Sequence, residues 1–271
     1  MAQHHKSISV LASSSTENGA YNRSIDGSSF KVSLNDAIHI PETAKNITLS
    51  VTKAVIWNSS PNFKLNNNQI YIKGPDVNDL DIEEVITLPV GLYDVTMFKS
   101  ALLAELLNLG FKQSPTPILD ITANYATSKL SFTLNYTSVE FSFIAGVTNP
   151  MNEILGYDLA TYTTTTAPFI VTAPNVAKFN QLNSILVISN LCDNGFAINR
   201  TESNICAQIL IDVPPGSQII YEPFNPTQVE ASNLQGRYLK EFNCQITDEK
   251  LVPIDTNSED YTVLFKISYT V

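Results

Sequence analysis

Apolar residues alternate with single intervening residues all the way to the C-terminus: Tyr261, Val263, Phe265, Ile267, Tyr269 and Val271. A period of two puts all six side chains on one face of an extended strand, because successive residues point to opposite sides of the pleat. The same period returns in Ile47, Leu49 and Val51, in Ile205, Ala207, Ile209, Ile211 and Val213, and in Phe242, Cys244 and Ile246. The centre of "SILVIS", residues 184–189, is unbroken apolar sequence, as expected of a strand covered on both faces. The chain therefore reads as all-β, with its last strand inside a sheet.

One stretch departs from this pattern. "GLYDVTMFKSALLAELLNLGF", residues 91–111, carries Phe98, Leu102, Leu106 and Leu109 at helical spacing, with Asp94 or Thr96 placed to cap its start and Gly110 to end it. Leu103 and Leu107 widen the apolar stripe, so the helix is expected to be covered on more than one side. Its polar face lacks the basic residues of a membrane-surface helix. The segment that follows, "KLSFTLNYTSVEFSF", reads as a hairpin: Leu130, Phe132 and Leu134 on one strand, Val139, Phe141 and Phe143 on the next, turning at Tyr136 and Thr137. Earlier in the chain Lys53 interrupts an apolar face that Val55 and Trp57 resume, which marks a bulge or an edge. Residues 1–28, rich in Ser, Asn and Gly with one apolar patch "SISVLA", read as a flexible N-terminal arm.

A length of 271 residues suits one large domain or one domain carrying an insertion. Only 15% of residues are charged, and Ser, Thr and Asn fill the polar positions, a surface common on β-proteins that meet neighbours over much of their area. The net charge of −10 and the absence of a Lys/Arg cluster argue against binding nucleic acid through its phosphates. No apolar run reaches the roughly 18 residues of a membrane span, and the apolar run near the N-terminus is too short for a secretory signal.

The residues that carry chemistry are few. Of the three histidines, His4 and His5 lie in the arm, and His39 has no nucleophile signature beside it. Cys192, Cys206 and Cys244 are odd in number and lack metal-ligand spacing, so they read as buried free thiols. The acidic stretch "DVNDLDIEEV" resembles a calcium loop, yet Leu80 falls where a ligand is needed, and the polar face of a strand entry fits better. Sequons at Asn22, Asn46, Asn58, Asn135 and Asn199 follow from abundant Asn, Ser and Thr. Trp57, Tyr71 and Tyr221 read as core packing rather than a ligand platform. The acidic residues lie mainly in loops and on polar strand faces, which weighs against a glycosidase pair. No catalytic, cofactor-binding or metal-ligating residue is assigned, and no cofactor is expected.

The order of patterns is itself informative. "FKVSLNDAIHIPETAKNITLSVTKAVIWNSSPNF", then the helix, then "KLSF", then "LGY", then the β-rich ending with "YTVLFKISY", resembles the penton (vertex) capsid proteins of virophages and Polinton-like double-stranded DNA viruses over most of residues 29–271. The resemblance implies a jelly-roll protomer that assembles as a homopentamer at the fivefold vertices of an icosahedral capsid. Its neighbour there would be a double jelly-roll major capsid protein, and a host receptor is a further partner. The expected fold is all-β, a single jelly-roll β-sandwich or barrel with one helix-containing insertion. The expected division is an arm at 1–28, a jelly roll at 29–90 and 173–271, and an insertion of helix plus hairpin at 91–172. A jelly-roll attachment or carbohydrate-binding head is the alternative, and an enzyme is disfavoured.

Overall fold

The computed structural model describes residues 4–180, 182–193, 197–198, 201–202 and 204–271. The chain forms two compact units, Met1–Ser60 with Leu182–Val271, and Pro61–Gln181. The first begins with strands β1 (His5–Ser13), β2 (Ala20–Tyr21), β3 (Ser29–His39) and β4 (Lys45–Trp57). The second holds β5 (Gln69–Pro75), β6 (Asp81–Thr87), helix α1 (Val95–Asn108), β7 (Leu119–Asn124) and β8 (Lys129–Leu134). It continues through β9 (Glu140–Ser142), the short helix α2 (Asn152–Leu155), β10 (Thr161–Thr163) and β11 (Phe169–Thr172). The first unit resumes with β12 (Ser184–Ile188), β13 (Ala197–Ile198), β14 (Thr201–Glu202) and β15 (Ile205–Leu210). It ends with β16 (Gln218–Tyr221), β17 (Val229–Glu230), β18 (Tyr238–Thr247) and β19 (Thr262–Thr270).

In the first unit, β1, β3, β4, β12, β15, β16, β18 and β19 obey one rule. Counted in that order, the first pairs with the eighth, the second with the seventh, the third with the sixth and the fourth with the fifth, all antiparallel. Further pairings of β19 with β4 and of β18 with β12 join these hairpins into two sheets, β1-β19-β4-β16 and β15-β12-β18-β3-β2. That is a jelly roll, in which one long antiparallel ribbon is rolled into two facing sheets. No strand among the described residues is shared by both sheets, so the unit is a sandwich of open sheets rather than a closed barrel. Phe30, Leu49, Val187, Phe242, Phe265 and Ile267 belong to one buried cluster. Phe242 of one sheet meets Phe265 of the other edge-on at 5.8 Å, which locks the layers together.

The N-terminal segment departs from the expected arm. His5 to Ser13 pair along β19 from Thr270 to Thr262, and Val10 and Ala12 are buried. The seryl residues that make this stretch look unstructured alternate with the inward side chains, and β19 would present a bare edge without it. Lys53 does mark a bulge. Leu264 lies opposite Lys53 while Phe265 lies opposite Val51, so one residue of β4 is unmatched. The extra residue reverses which side chains face inward. Ala54 and Ile56 are buried beyond it, whereas Trp57, expected in the core, is on the outer face and 36% exposed.

The second unit is larger than the expected insertion at 91–172. β5 and β6 pair with each other, and β5 also pairs with β9, so residues from Pro61 onward belong with the helix rather than with the jelly roll. Its two ends adjoin: the Asn62 side-chain amide donates to the carbonyl of Phe179 at 2.9 Å. Residues 129–143 are not a hairpin. β8 pairs with β7 and β11, whereas β9 pairs with β5 and β10, so the turn between β8 and β9 carries the chain from one sheet to another. Phe132 and Phe141 meet across the sheets with rings 4.8 Å apart. Period two describes which face is apolar, and an arch and a hairpin share it.

Helix α1 starts as expected. The Asp94 carboxylate accepts the Met97 N–H at 2.7 Å, and Gly110 takes the left-handed conformation (φ 88°) that ends the helix. Phe98, Leu102 and Leu106 are fully buried in the cluster that also holds Phe132, Phe141 and Phe143. Leu107 is 61% exposed, so the helix is covered on one side only.

Candidate functional site

Several of the groups that could do chemistry have partners within the fold. His39 closes β3 and stacks on Tyr238 of β18, the ring centroids 4.3 Å apart. The Asp76 carboxylate accepts the backbone N–H groups of Asn78 and Leu80, both at 2.8 Å, and so makes a turn at the place where the sequence resembles a calcium loop. Asp79 pairs with Lys112, and Glu83 accepts the Tyr71 hydroxyl and the Lys73 ammonium, both at 2.9 Å. Burial and the hydrogen bond to Glu83 push the Tyr71 phenol up to about 12. Among the described residues no three or more His, Cys, Asp or Glu side chains gather as a metal site.

The sequons separate in the same way. Asn22 and Asn46 are exposed, whereas the Asn58 amide donates to Val213 and the Asn135 amide to Pro117. Asn199 lies outside the described residues. Tyr221 packs against the jelly-roll core as expected, and Tyr71 sits on a polar sheet face. All three cysteines are buried and unbonded.

What is left is surface. On the outer face of the sheet β1-β19-β4-β16, Leu11 lies opposite Leu264, Thr262 opposite Val55, and Val55 opposite Ile220. Trp57 follows Val55 on the same face. Leu11 and Ile220 are 61% and 63% exposed. The registers thus pair Leu11 with Leu264 and Val55 with Ile220, with Trp57 next along β4, while Lys53 lies opposite Leu264 and pairs with Glu222 at 3.3 Å. This face therefore carries apolar side chains from four strands around one exposed ion pair, where an antiparallel sheet facing water would carry mostly polar ones. Isolated exposed apolar residues are ordinary, but several gathered on one sheet face mark a surface that meets something. Sequence reasoning missed this set, because its members belong to four distant segments and the bulge in β4 decides that two of them face outward.

The second unit has a shallow hollow of about 380 Å³, lined by Asn66, Asn67, Pro150, Asn152, Glu153, Ile154 and Lys178. The expectation of no site residues did not single these out, since they come from helix α2, from Pro150 just ahead of it and from two distant loops.

No family model and no curated protein matches the chain. Among solved structures it is similar to the mavirus penton protein, at 12% identity over 99% of this chain and 100% of that one, with a TM-score of 0.48. It is also similar to a chain in the cryo-EM structure of the Sputnik virophage, at 13% identity over 97% of both chains, with a TM-score of 0.43.

Proposed function

We propose that this chain is a structural protein of a virus particle. In the finer form of the proposal it is a penton protein, assembling as a homopentamer at the fivefold vertices of an icosahedral capsid beside a double jelly-roll major capsid protein. The observation that carries the reading is the group of exposed apolar side chains, Leu11, Ile220 and Trp57, on the outer face of an eight-strand jelly roll. It belongs to a chain whose sequence pattern resembles penton proteins and whose surface is poor in charge. Covering one large apolar side chain contributes roughly 1.5–3 kcal/mol, so a neighbour seated on Leu11, Ile220 and Trp57 recovers a useful part of the cost of association.

Light scattering on the purified protein tests this, with the mass of five copies expected. A strict monomer at high concentration that also fails to enter shells when co-expressed with its major capsid protein sinks the proposal. Leu11→Asp combined with Ile220→Asp should lower the assembled fraction at least tenfold while leaving the melting temperature nearly unchanged, because both side chains are already exposed.

A second reading, a carbohydrate-binding head, is favoured by the hollow lined by three Asn side chains, Glu153 and Lys178. Amides and a carboxylate are the groups that pair with sugar hydroxyls. Glycan-array binding that disappears in Glu153→Ala would move the function there.

A further inference from the structure

Cys192 and Cys206 are 14 residues apart in sequence, yet their sulfurs lie 3.5 Å from each other. The fold makes this contact deliberately close. β12 and β15 run antiparallel, with Ile188 opposite Ile205, and the Ser189 N–H donates to the Asn204 carbonyl at 3.1 Å. The chain then turns sharply after β12. The Ser189 hydroxyl donates to the Asn243 carbonyl at 2.6 Å and accepts the Leu191 N–H at 3.3 Å, which folds Cys192 back beneath the start of β15. Each thiol has a backbone carbonyl at 3.6 Å, Ser189 O for Cys192 and Asn204 O for Cys206, and with the Cys192 S–H on its carbonyl the Cys206 S–H can point at the Cys192 sulfur. A disulfide bond is about 2.05 Å long, so closing it brings the two sulfurs together by about 1.5 Å.

We infer that Cys192 and Cys206 are a dithiol pair that stays open in a reducing compartment and closes to a disulfide in an oxidising one, fastening the turn after β12 to the start of β15. The co-reactant is a low-molecular-weight disulfide such as oxidised glutathione. The Cys192 thiolate attacks one of its sulfurs, giving a mixed disulfide and one glutathione thiolate. Cys206 then attacks the Cys192 sulfur, forms the intramolecular bond and expels the second glutathione thiolate. The two thiol protons end on the two glutathiones, which take up the two electrons. Cys192 suits the first step, because the hydrogen bond from Cys206 holds its thiol below the ordinary value. Cys206 is pushed up by that same contact and by burial. Both are at most 1% exposed, so attack proceeds through local opening of the turn. Cys244 serves as an internal control, since full burial pushes its thiol up to about 12.

The native full-length protein is incubated with oxidised glutathione, quenched in acid, alkylated under denaturing conditions and digested with trypsin. Trypsin cuts after Arg200, between the two cysteines, and after Lys240, so each cysteine falls in a separate peptide. The expected result is loss of two of the three thiols, a Cys192–Cys206 peptide pair joined through sulfur, and an alkylated Cys244. The melting temperature should rise on oxidation, and Cys192→Ser should abolish the rise. Full alkylation of all three thiols, a glutathione adduct that persists on Cys192, a bridge through Cys244, or a bridge without any change in melting temperature would each overturn the inference. If Cys192→Ser does not fold, the peptide mapping of the unaltered protein still decides.

Discussion

Asp26 and Glu249 organise two turns through single carboxylates. Asp26 accepts the Ser28 N–H at 2.9 Å and the Ser28 hydroxyl at 2.7 Å, together with the Ser24 hydroxyl. Glu249 accepts the Ser184 N–H at 2.7 Å, the Ser184 hydroxyl at 3.0 Å and the Asn183 N–H at 3.2 Å, fixing the start of β12. Burial raises both carboxyls, but these hydrogen bonds outweigh it and hold them below their ordinary 3.8 and 4.5. A carboxyl lowered in the folded state contributes stability that is present at neutral pH and lost as pH falls through that range. Melting temperatures measured between pH 7 and 2 should therefore drop below about pH 4.5. Asp26→Asn and Glu249→Gln should start lower at pH 7 and show a shallower acid limb, whereas parallel curves for variant and parent would refute the assignment. Asp94→Ala removes the cap of α1 and should cost about 1 kcal/mol in chemical denaturation. Of these residues only Asp94 was legible in the sequence, because an N-cap is local in the chain. Glu249 reaches Ser184 across 65 positions, and no spacing rule connects them.

At the scale of elements, β19, β12, β18 and α1 were legible, since each satisfies its own period from end to end. β1 was hidden by the serines on its outer side and by the mixed character of "SISVLA". Because β1 supplies the outermost strand of the first sheet, with Val10 and Ala12 in the core, it cannot behave as a removable arm. Deleting residues 1–13 exposes the full length of β19, and the melting temperature should fall by about 10 °C or more, in line with losing several kcal/mol from a domain of this size. A truncated protein with an unchanged melting curve would restore the arm. The helix offers a complementary case. Phe98 packs against both Phe63 and Phe179, with centroids at 5.6 and 5.8 Å, and Leu102 and Leu106 are fully buried in the same cluster. Leu102→Asp with Leu106→Asp places two unpaired charges in that core, which is strongly destabilising wherever they cannot reach water. Amide exchange should accelerate throughout Pro61–Gln181 while β19 stays protected, since the two units have separate hydrophobic clusters. Equal acceleration in both would mean that they unfold as one.

At the scale of the whole molecule, the sequence order announced an interrupted jelly roll but misplaced the interruption. Residues 69–87 alternate as any jelly-roll strand does, and their partner, Glu140–Ser142, is only three residues long, so nothing in the pattern says which sheet they join. Pairing decides it, because the rule that joins first strand to eighth and fourth to fifth is complete without them. A complete pairing scheme implies that Met1–Ser60 and Leu182–Val271 carry all the strand contacts their fold requires. The second unit begins and ends at one place, with Asn62 bonded to Phe179 and the rings of Phe63 and Phe179 6.1 Å apart. A segment whose ends meet can be exchanged for a short connection at modest entropic cost, because loop closure grows only slowly with length. Replacing Pro61–Gln181 by a flexible Gly/Ser linker of about six residues should therefore yield a folded protein with a single cooperative transition. Strands β4 and β12 would then follow each other directly, as third and fourth of eight. The measurement is amide exchange on β19 and β12: slow exchange in the excised protein means the jelly roll is self-sufficient, and fast exchange in both strands would show that its core depends on the inserted unit.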